Sequence, residues 1–510
     1  MRREDRRTRG LCRASPSSPG EGEASPSLLN LHCDSPIAPS RDPSGSPAIG
    51  ESRSHNDTRG VRCGEPTSRE PAAAALPPNH ATSDDRLNAE PLRSTLRARG
   101  RRLSFASHPL GMTFHVVFTQ HLPTLALVSL GASEALVGLQ NAFIPASQIL
   151  QLPTLRAIGR IPKRTILVAG QAMAVLVALP LAAFGHLTAL GNATAIVITL
   201  CCLALVSVGI QVSQTVWFPL LRSYVEPGSI GRFFGALRTS WSLALILYFI
   251  GAQVWLARHP GDFGPLFAAG IVCGVLRLLV IARLPERSER TGESIRVREA
   301  LALLRQSEDL RRYLQGATAS SAVHKCVIPF GIVMMRREIG FSESDIVYTT
   351  IAYFAGSLVS LYGWGRIVDR VGAAPIFRGT ALATGSLLLC LLLIREPGSG
   401  ALFAMIGFFF AFSVLSSGFG VADTDVLFAL TPAEAPARTL VLAQTIVALV
   451  SGAAPILVGS GLQLALARCE SPLAVYHAFF AAAALLQAVS YLPLRRFTAA
   501  ARASSQQREA

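Results

Sequence analysis

At 510 residues, half of them apolar and only 15% charged, with a mean hydropathy of +0.40, the chain lies outside the composition of soluble globular domains and points to a membrane protein. Its formal charge of +15 does not indicate a nucleic-acid partner, because the basic residues sit in short stretches between apolar segments instead of clustering on one face with interleaved aromatics. Nine cysteines, single or adjacent as Cys201 and Cys202, form no C-x-x-C pair and no Cys/His spacing, which argues against a metal site and a disulfide framework alike.

Residues 1–105 are rich in Ser, Pro, Gly and Arg, cannot bury enough apolar surface to offset ordering entropy, and are expected to form a disordered tail. No Met falls between Met1 and Met112, so translated sequence upstream of a later start is an equal reading of this stretch. A secretory signal is not expected, since the first apolar segment begins beyond residue 105 and no small-residue cleavage site follows it.

Twelve apolar segments follow, each near the roughly 20 residues that cross about 30 Å of hydrocarbon. They fall at 108–128, 135–154, 165–185, 194–217, 239–257, 264–284, 313–335, 346–364, 379–394, 401–422, 439–465 and 475–494. A polar stretch at 285–312 separates six from six. It predicts an N-terminal bundle over 106–284, a cytoplasmic linker with a short amphipathic surface helix, a C-terminal bundle over 313–496 and a tail at 497–510. Alternate loops carry 28 and five basic residues, the five being Arg258, Arg336, Arg337, Arg395 and Arg468. Retained positive charge marks the cytoplasmic side, so the chain is expected to be a multi-pass protein of the cell membrane with both termini in the cytoplasm.

After the eighth segment comes Gly365-Arg366-Ile367-Val368-Asp369-Arg370-Val371-Gly372. Its glycines suit a tight turn, its Asp can accept from backbone N–H groups at a helix N-terminus, and its Arg can pair with a carboxylate or lipid phosphate. The matching place in the first half has Gly159 and Arg160, with Arg156 where the acid would stand. Arg232, followed by Phe233, Phe234 and Gly235, and Arg438, after Pro432 and Glu434, occupy corresponding loops of the two halves. Leu130-Gly131-Ala132-Ser133-Glu134 is echoed by Ile339-Gly340-Phe341-Ser342-Glu343, as an ancestral duplication would leave it.

These loops resemble the G-x-x-x-D-R-x-G signature and associated loops of the major facilitator superfamily, over about residues 92–496. The resemblance implies an all-α integral membrane fold with twelve transmembrane helices in two six-helix bundles. It also implies a gating role for Gly365, Asp369, Arg370 and Gly372, and a weaker one for Gly159, Arg160, Arg232 and Arg438.

Charged and polar groups at membrane depth are costly and mark function by default. His324 and Lys325 lie at the centre of the seventh segment, and Lys325 is one of two lysines in the chain, the other being Lys163. Ser320 and Ser321 share the face that His324 and Lys325 partly occupy, and His108, His115, His121, Gln140, Asn141, Gln148, Gln151, Gln211, Gln214, Trp217, Tyr353 and Gln444 complete the expected cavity lining. Arg277 is expected to snorkel to the cytoplasmic end of the sixth segment. No carboxylate occupies the middle third of any segment, which disfavours an intramembrane enzyme. No G-x-x-x-x-G-K-[ST] loop is present and no cofactor is read, so a gradient must supply energy. The reading is a monomeric secondary transporter in the bilayer for a small-molecule substrate that carries negative charge, with a transporter-like sensor or scaffold as the alternative.

Overall fold

The computed structural model describes residues 94–158, 160–225, 230–286, 307–396, 398–430 and 436–495. The stretch before residue 94, most of the expected linker, Gly159 and the stretch after residue 495 lie outside the described residues. Among the described residues every regular element is a helix, and they assemble into twelve spans. Span 1 comprises Ser94–Thr119 and His121–Ser129, and span 2 comprises Glu134–Ser147, the 3₁₀ turn Gln148–Leu150 and Gln151–Ile158. Spans 3 to 6 are Lys163–Ala182, Asn192–Arg222, Ile230–Arg258 and Gly264–Ile281. Spans 7 to 9 are Glu308–Arg337, Glu343–Val371 and Ala373–Leu389, and spans 10 to 12 are Ser399–Leu430, Pro436–Leu466 and Pro472–Arg495.

Ten of these helices are long and apolar enough to cross a membrane unbroken. The other two spans are interrupted, each one turn before a proline. Pro123 has no N–H and its ring would strike the Thr119 carbonyl, so span 1 breaks at Gln120, whose φ and ψ are both −122°. Pro153 imposes the same restriction on Ile149, and span 2 tightens there into its 3₁₀ turn.

Two boundaries differ from the sequence reading. Span 1 starts at Ser94, inside the stretch expected to be a tail, because Gly100 fits directly against the Tyr224 ring and Leu103 packs on the cluster around Trp217 and Leu221. Span 8 continues past the expected end at 364 to Val371, so Gly365 to Arg370 is helical and not a loop. No proline intervenes and Gly365 keeps helical geometry, so the helix runs on to Gly372, whose φ of 88° ends it, and span 9 begins at the next residue.

Apolar packing divides the molecule along the membrane normal. One large cluster draws on both bundles, from Phe114 and Phe267 through Phe330 and Phe409 to Phe480. At the end that bears Ser94 and Arg495, here termed the basic end, two separate clusters form. One joins Leu167, Trp217, Tyr224 and Leu284 of the first bundle, the other Leu310, Tyr313, Phe377 and Phe419 of the second. The bundles therefore share a core toward the opposite end and hold separate cores at the basic end. Spans 2 and 11 make the closest seam: Gly138 lies against the Pro455 carbonyl, Gly452 against the Pro145 ring and Gly459 against the Glu134 carbonyl. A second seam joins spans 5 and 8, where Phe249 and Phe354 stack with centroids 5.6 Å apart.

Candidate functional site

Where the two bundles meet, spans 1, 2, 7 and 8 enclose a cavity of about 240 Å³. The break in span 1 forms one wall. Gln120 and His121 line the cavity, and the helix restarting at His121 has no side-chain cap, so the positive end of its backbone dipole lies at the cavity edge. His121 is 3% exposed; its Nδ1 stands 3.0 Å from Thr350 Oγ1 of the other bundle, and its Nε2 has no partner. His115, one turn before the break, also lines the cavity and leaves Nδ1 unpartnered.

Span 7 supplies the facing wall with His324 and Lys325. The His324 ring is held between Phe412 and Phe419, with centroids at 5.1 and 5.4 Å. Its Nδ1 lies 2.8 Å from the Ser320 carbonyl oxygen, which only accepts, so Nδ1 carries a proton and the unpartnered Nε2 is an acceptor in the neutral ring. Lys325 is half-buried and forms no hydrogen bond or ion pair among the described residues. Asn141 and Gln148 of span 2 and Tyr353 of span 8 add polar groups, and no carboxylate is present among the described lining residues.

The structure thus brings together His115, His121, Asn141, Gln148, His324, Lys325 and Tyr353 of the residues singled out from sequence, and adds Thr119, Gln120 and Thr124. Gln140 is buried just behind the wall, accepting from Thr124 Oγ1 at 3.0 Å and Asn141 Nδ2 at 2.8 Å. Ser321 is half-buried outside the lining, while its neighbour Ser320 accepts from Gln487 Nε2 at 2.8 Å. Gln214 is half-buried on span 4 and Gln444 is exposed on span 11; neither reaches the cavity. Arg277 does not snorkel. It is 4% exposed inside the first bundle, donates from Nη1 to Gln171 Oε1 at 3.1 Å, and lies 5.4 Å from the centroid of the Trp217 ring.

The opposite end is closed by two carboxylates that the sequence reading had noted only as parts of a repeat. Glu134 and Glu343 occupy the same position in the duplicated turn, each after a left-handed glycine, Gly131 at φ 84° and Gly340 at φ 78°, and a serine N-cap. Both side chains are nearly buried and both cross between bundles. Glu134 receives Arg337 Nη1 from span 7 and the Tyr476 hydroxyl from span 12 at 3.2 Å, while Arg337 Nη2 donates to the Ala132 carbonyl. Glu343 accepts from Ser129 Oγ at 2.7 Å and Gly261 N at 2.6 Å in the first bundle, and pairs with Arg336 at 3.2 Å. Burial and the nearby Glu134 carboxylate push Glu338 above the ordinary glutamate range, against the pull of Arg337.

The signature residues lie at the basic end. Asp369 and Arg370 are exposed on the last turn of span 8 and Gly372 is the single residue between spans 8 and 9; Asp369 makes no hydrogen bond or ion pair among the described residues. Gly365 stands one and a half turns earlier on the same helix, beside Arg366, whose guanidinium lies 4.3 Å from the Tyr362 ring centroid. Arg160 is exposed after span 2, and Arg232 and Arg438 fall in the first turns of spans 5 and 11. At this end Glu286 caps span 3, accepting from the backbone N–H groups of Lys163 and, at 2.9 Å, Arg164.

No protein-family model matches the sequence, and no curated protein matches it. Solved structures do. A mutant of the nucleoside transporter NupG superposes with a TM-score of 0.62 at 11% identity, over 78% of this chain and 99% of that one. A bacterial homologue of the iron transporter ferroportin, in an inward-facing state, gives 0.58 at 15% identity over 78% and 98%. The inward-open xylose transporter XylE from E. coli gives 0.54 at 14% identity over 79% and 95%.

Proposed function

We propose that this chain, which has the fold of the major facilitator superfamily, is a secondary active transporter that moves a small anionic solute by alternating access, with its basic end at the cytoplasmic face of the cell membrane. The observation that carries the reading is the central cavity: Lys325, three histidines and a helix N-terminus surround it, with no carboxylate among the described lining residues. A buried ammonium must find an anion or lose its proton, and a solute carboxylate or phosphate supplies the missing charge. The Nε2 atom of His324 is placed to take a proton that accompanies the solute.

The packing supports alternation. A shared core and the crossed glutamates seal one end while separate cores leave the other parted, as in an inward-facing transporter. In that state the gating residues at the basic end are disengaged, which accounts for Asp369 standing without a partner among the described residues. The structural neighbours named above are a nucleoside transporter, a homologue of an iron transporter and a xylose transporter, so the fold alone does not set the solute, and the charge of the lining is what favours an anion here.

Uptake into proteoliposomes of a labelled panel of carboxylates, phosphate esters, neutral sugars and amines tests the reading. An anionic member should be taken up; Lys325→Gln should abolish its uptake and Lys325→Arg should retain part of it. Selective uptake of an amine, or full activity in Lys325→Met, would overturn the anionic assignment, and binding without flux under any imposed gradient would favour a sensor.

A further inference from the structure

Inside the first bundle, one turn from the cavity, Arg277 is buried on every side. Its guanidinium lies over the Trp217 ring and against Gly111, where an added Cβ would come within 2.6 Å of Cζ. Its one side-chain hydrogen bond goes to the neutral amide of Gln171, its Nε has no partner, and no carboxylate pairs with it among the described residues. The unpartnered nitrogens beside it, Gln171 Nε2 and Trp217 Nε1, are donors as well. The cluster thus adds positive potential and nothing to neutralise it. A guanidinium keeps its charge where an ammonium would shed it, and an unpaired buried charge is among the costliest features a membrane protein can keep.

The charge acts on the cavity. Gly111 and His115 are one turn apart on the same face of span 1, about 6 Å along the axis, and His115 lines the cavity wall. At that range, inside the packed bundle, a unit charge shifts the local potential substantially. We infer that Arg277 is a specificity-determining residue that makes the cavity select anions by its field, without touching the solute. The inference rests on the transport reading for the identity of the occupant, but the potential itself can be measured without one.

The experiment places a single reporter cysteine in the cavity, Gln148→Cys, in a background with all nine native cysteines changed to Ser. Its modification by a sulfonate-bearing and a trimethylammonium-bearing methanethiosulfonate of similar size gives an anion-to-cation rate ratio. The ratio should exceed that of a free thiol, fall about tenfold in Arg277→Gln and persist in Arg277→Lys. Because loss of Arg277 could disturb packing on Trp217, Gln171→Glu provides a second arm: it is nearly isosteric, keeps the acceptor for Nη1 and places a counter-charge on the guanidinium, and should lower the ratio equally. A parental anion preference that survives both Arg277→Gln and Gln171→Glu overturns the inference and leaves the anionic-solute reading standing. A parent with no anion preference overturns both.

Discussion

A histidine held by a backbone carbonyl on one nitrogen and open on the other is a directional group, and His324 is such a residue. Its ring is sandwiched by Phe412 and Phe419, so packing and proton acceptance can be separated by substitution. His324→Phe should keep the aromatic stack and hold the thermal midpoint within a few degrees of the parent. It should still lower solute affinity about ten- to hundredfold, the worth of one hydrogen bond to a charged group. Unchanged affinity in a stable His324→Phe protein would reduce the residue to a packing element. His324 and Lys325 were legible in the sequence because a charge in an apolar window stands out whatever the fold. Gln214, Gln444 and Ser321 were not separable from the true lining, since one helix has several faces and only the packing of neighbours decides which turns inward. Arg277 was misread for a related reason: nearness to a helix end permits snorkelling, but Gly111 opens a slot that draws the side chain inward.

At the scale of elements, the spans were legible because each is a long apolar run, and the duplicated turn was legible as an echo. Its work was hidden, since Glu134 and Glu343 are local in sequence while their partners lie 203 and 214 residues away. The two prolines that break spans 1 and 2 could have been read from Pro123 and Pro153 alone, yet where the breaks face depends on the assembled bundle. The crossed glutamates should hold the opposite end shut. Each glutamate is buried while its arginine is part-exposed, so removing the carboxylate charge weakens the seal by less than the roughly 3–5 kcal/mol of a fully buried pair. Glu134→Gln and Glu343→Gln should each raise the labelling rate of a cysteine at Leu130, which is 5% exposed, and the double variant should raise it further. Equal rates in all three would show that the apolar seam alone closes this end. Glu338 adds a sign. Its pKa is raised in the closed arrangement, which therefore binds a proton more tightly than an open, hydrated one. Acidifying that face through the ordinary glutamate range and above should slow labelling, and Glu338→Gln should flatten the response.

For the whole molecule, the distribution of cores states which conformation this is: one core common to both bundles at the sealed end, two private cores at the basic end. The alternation proposed above would require the reverse state, in which the basic ends approach and the crossed glutamates part. The seam of spans 2 and 11 suits such a rolling motion because Gly138 and Gly459 let backbone meet backbone and Gly452 meets only the rigid Pro145 ring. On the proposed transport reading, Asp369 would act in the state not captured here. Exposed at the end of span 8 and without a partner among the described residues, it contributes nothing to the present arrangement, and a helix N-terminus or a basic side chain of the first bundle is the partner its charge suits once the ends close. Removing that charge should destabilise only the closed-basic-end state, by the roughly 1.5–3 kcal/mol of a charge-assisted hydrogen bond. Solute affinity measured from the open side does not involve that state, whereas every transport cycle passes through it. Asp369→Asn should therefore slow turnover in proteoliposomes about tenfold or more while leaving the dissociation constant in detergent within about twofold of the parent. A large loss of affinity with normal turnover would move Asp369 from the gate to the binding site, and with it the assignment of the basic end as the moving half of the cycle.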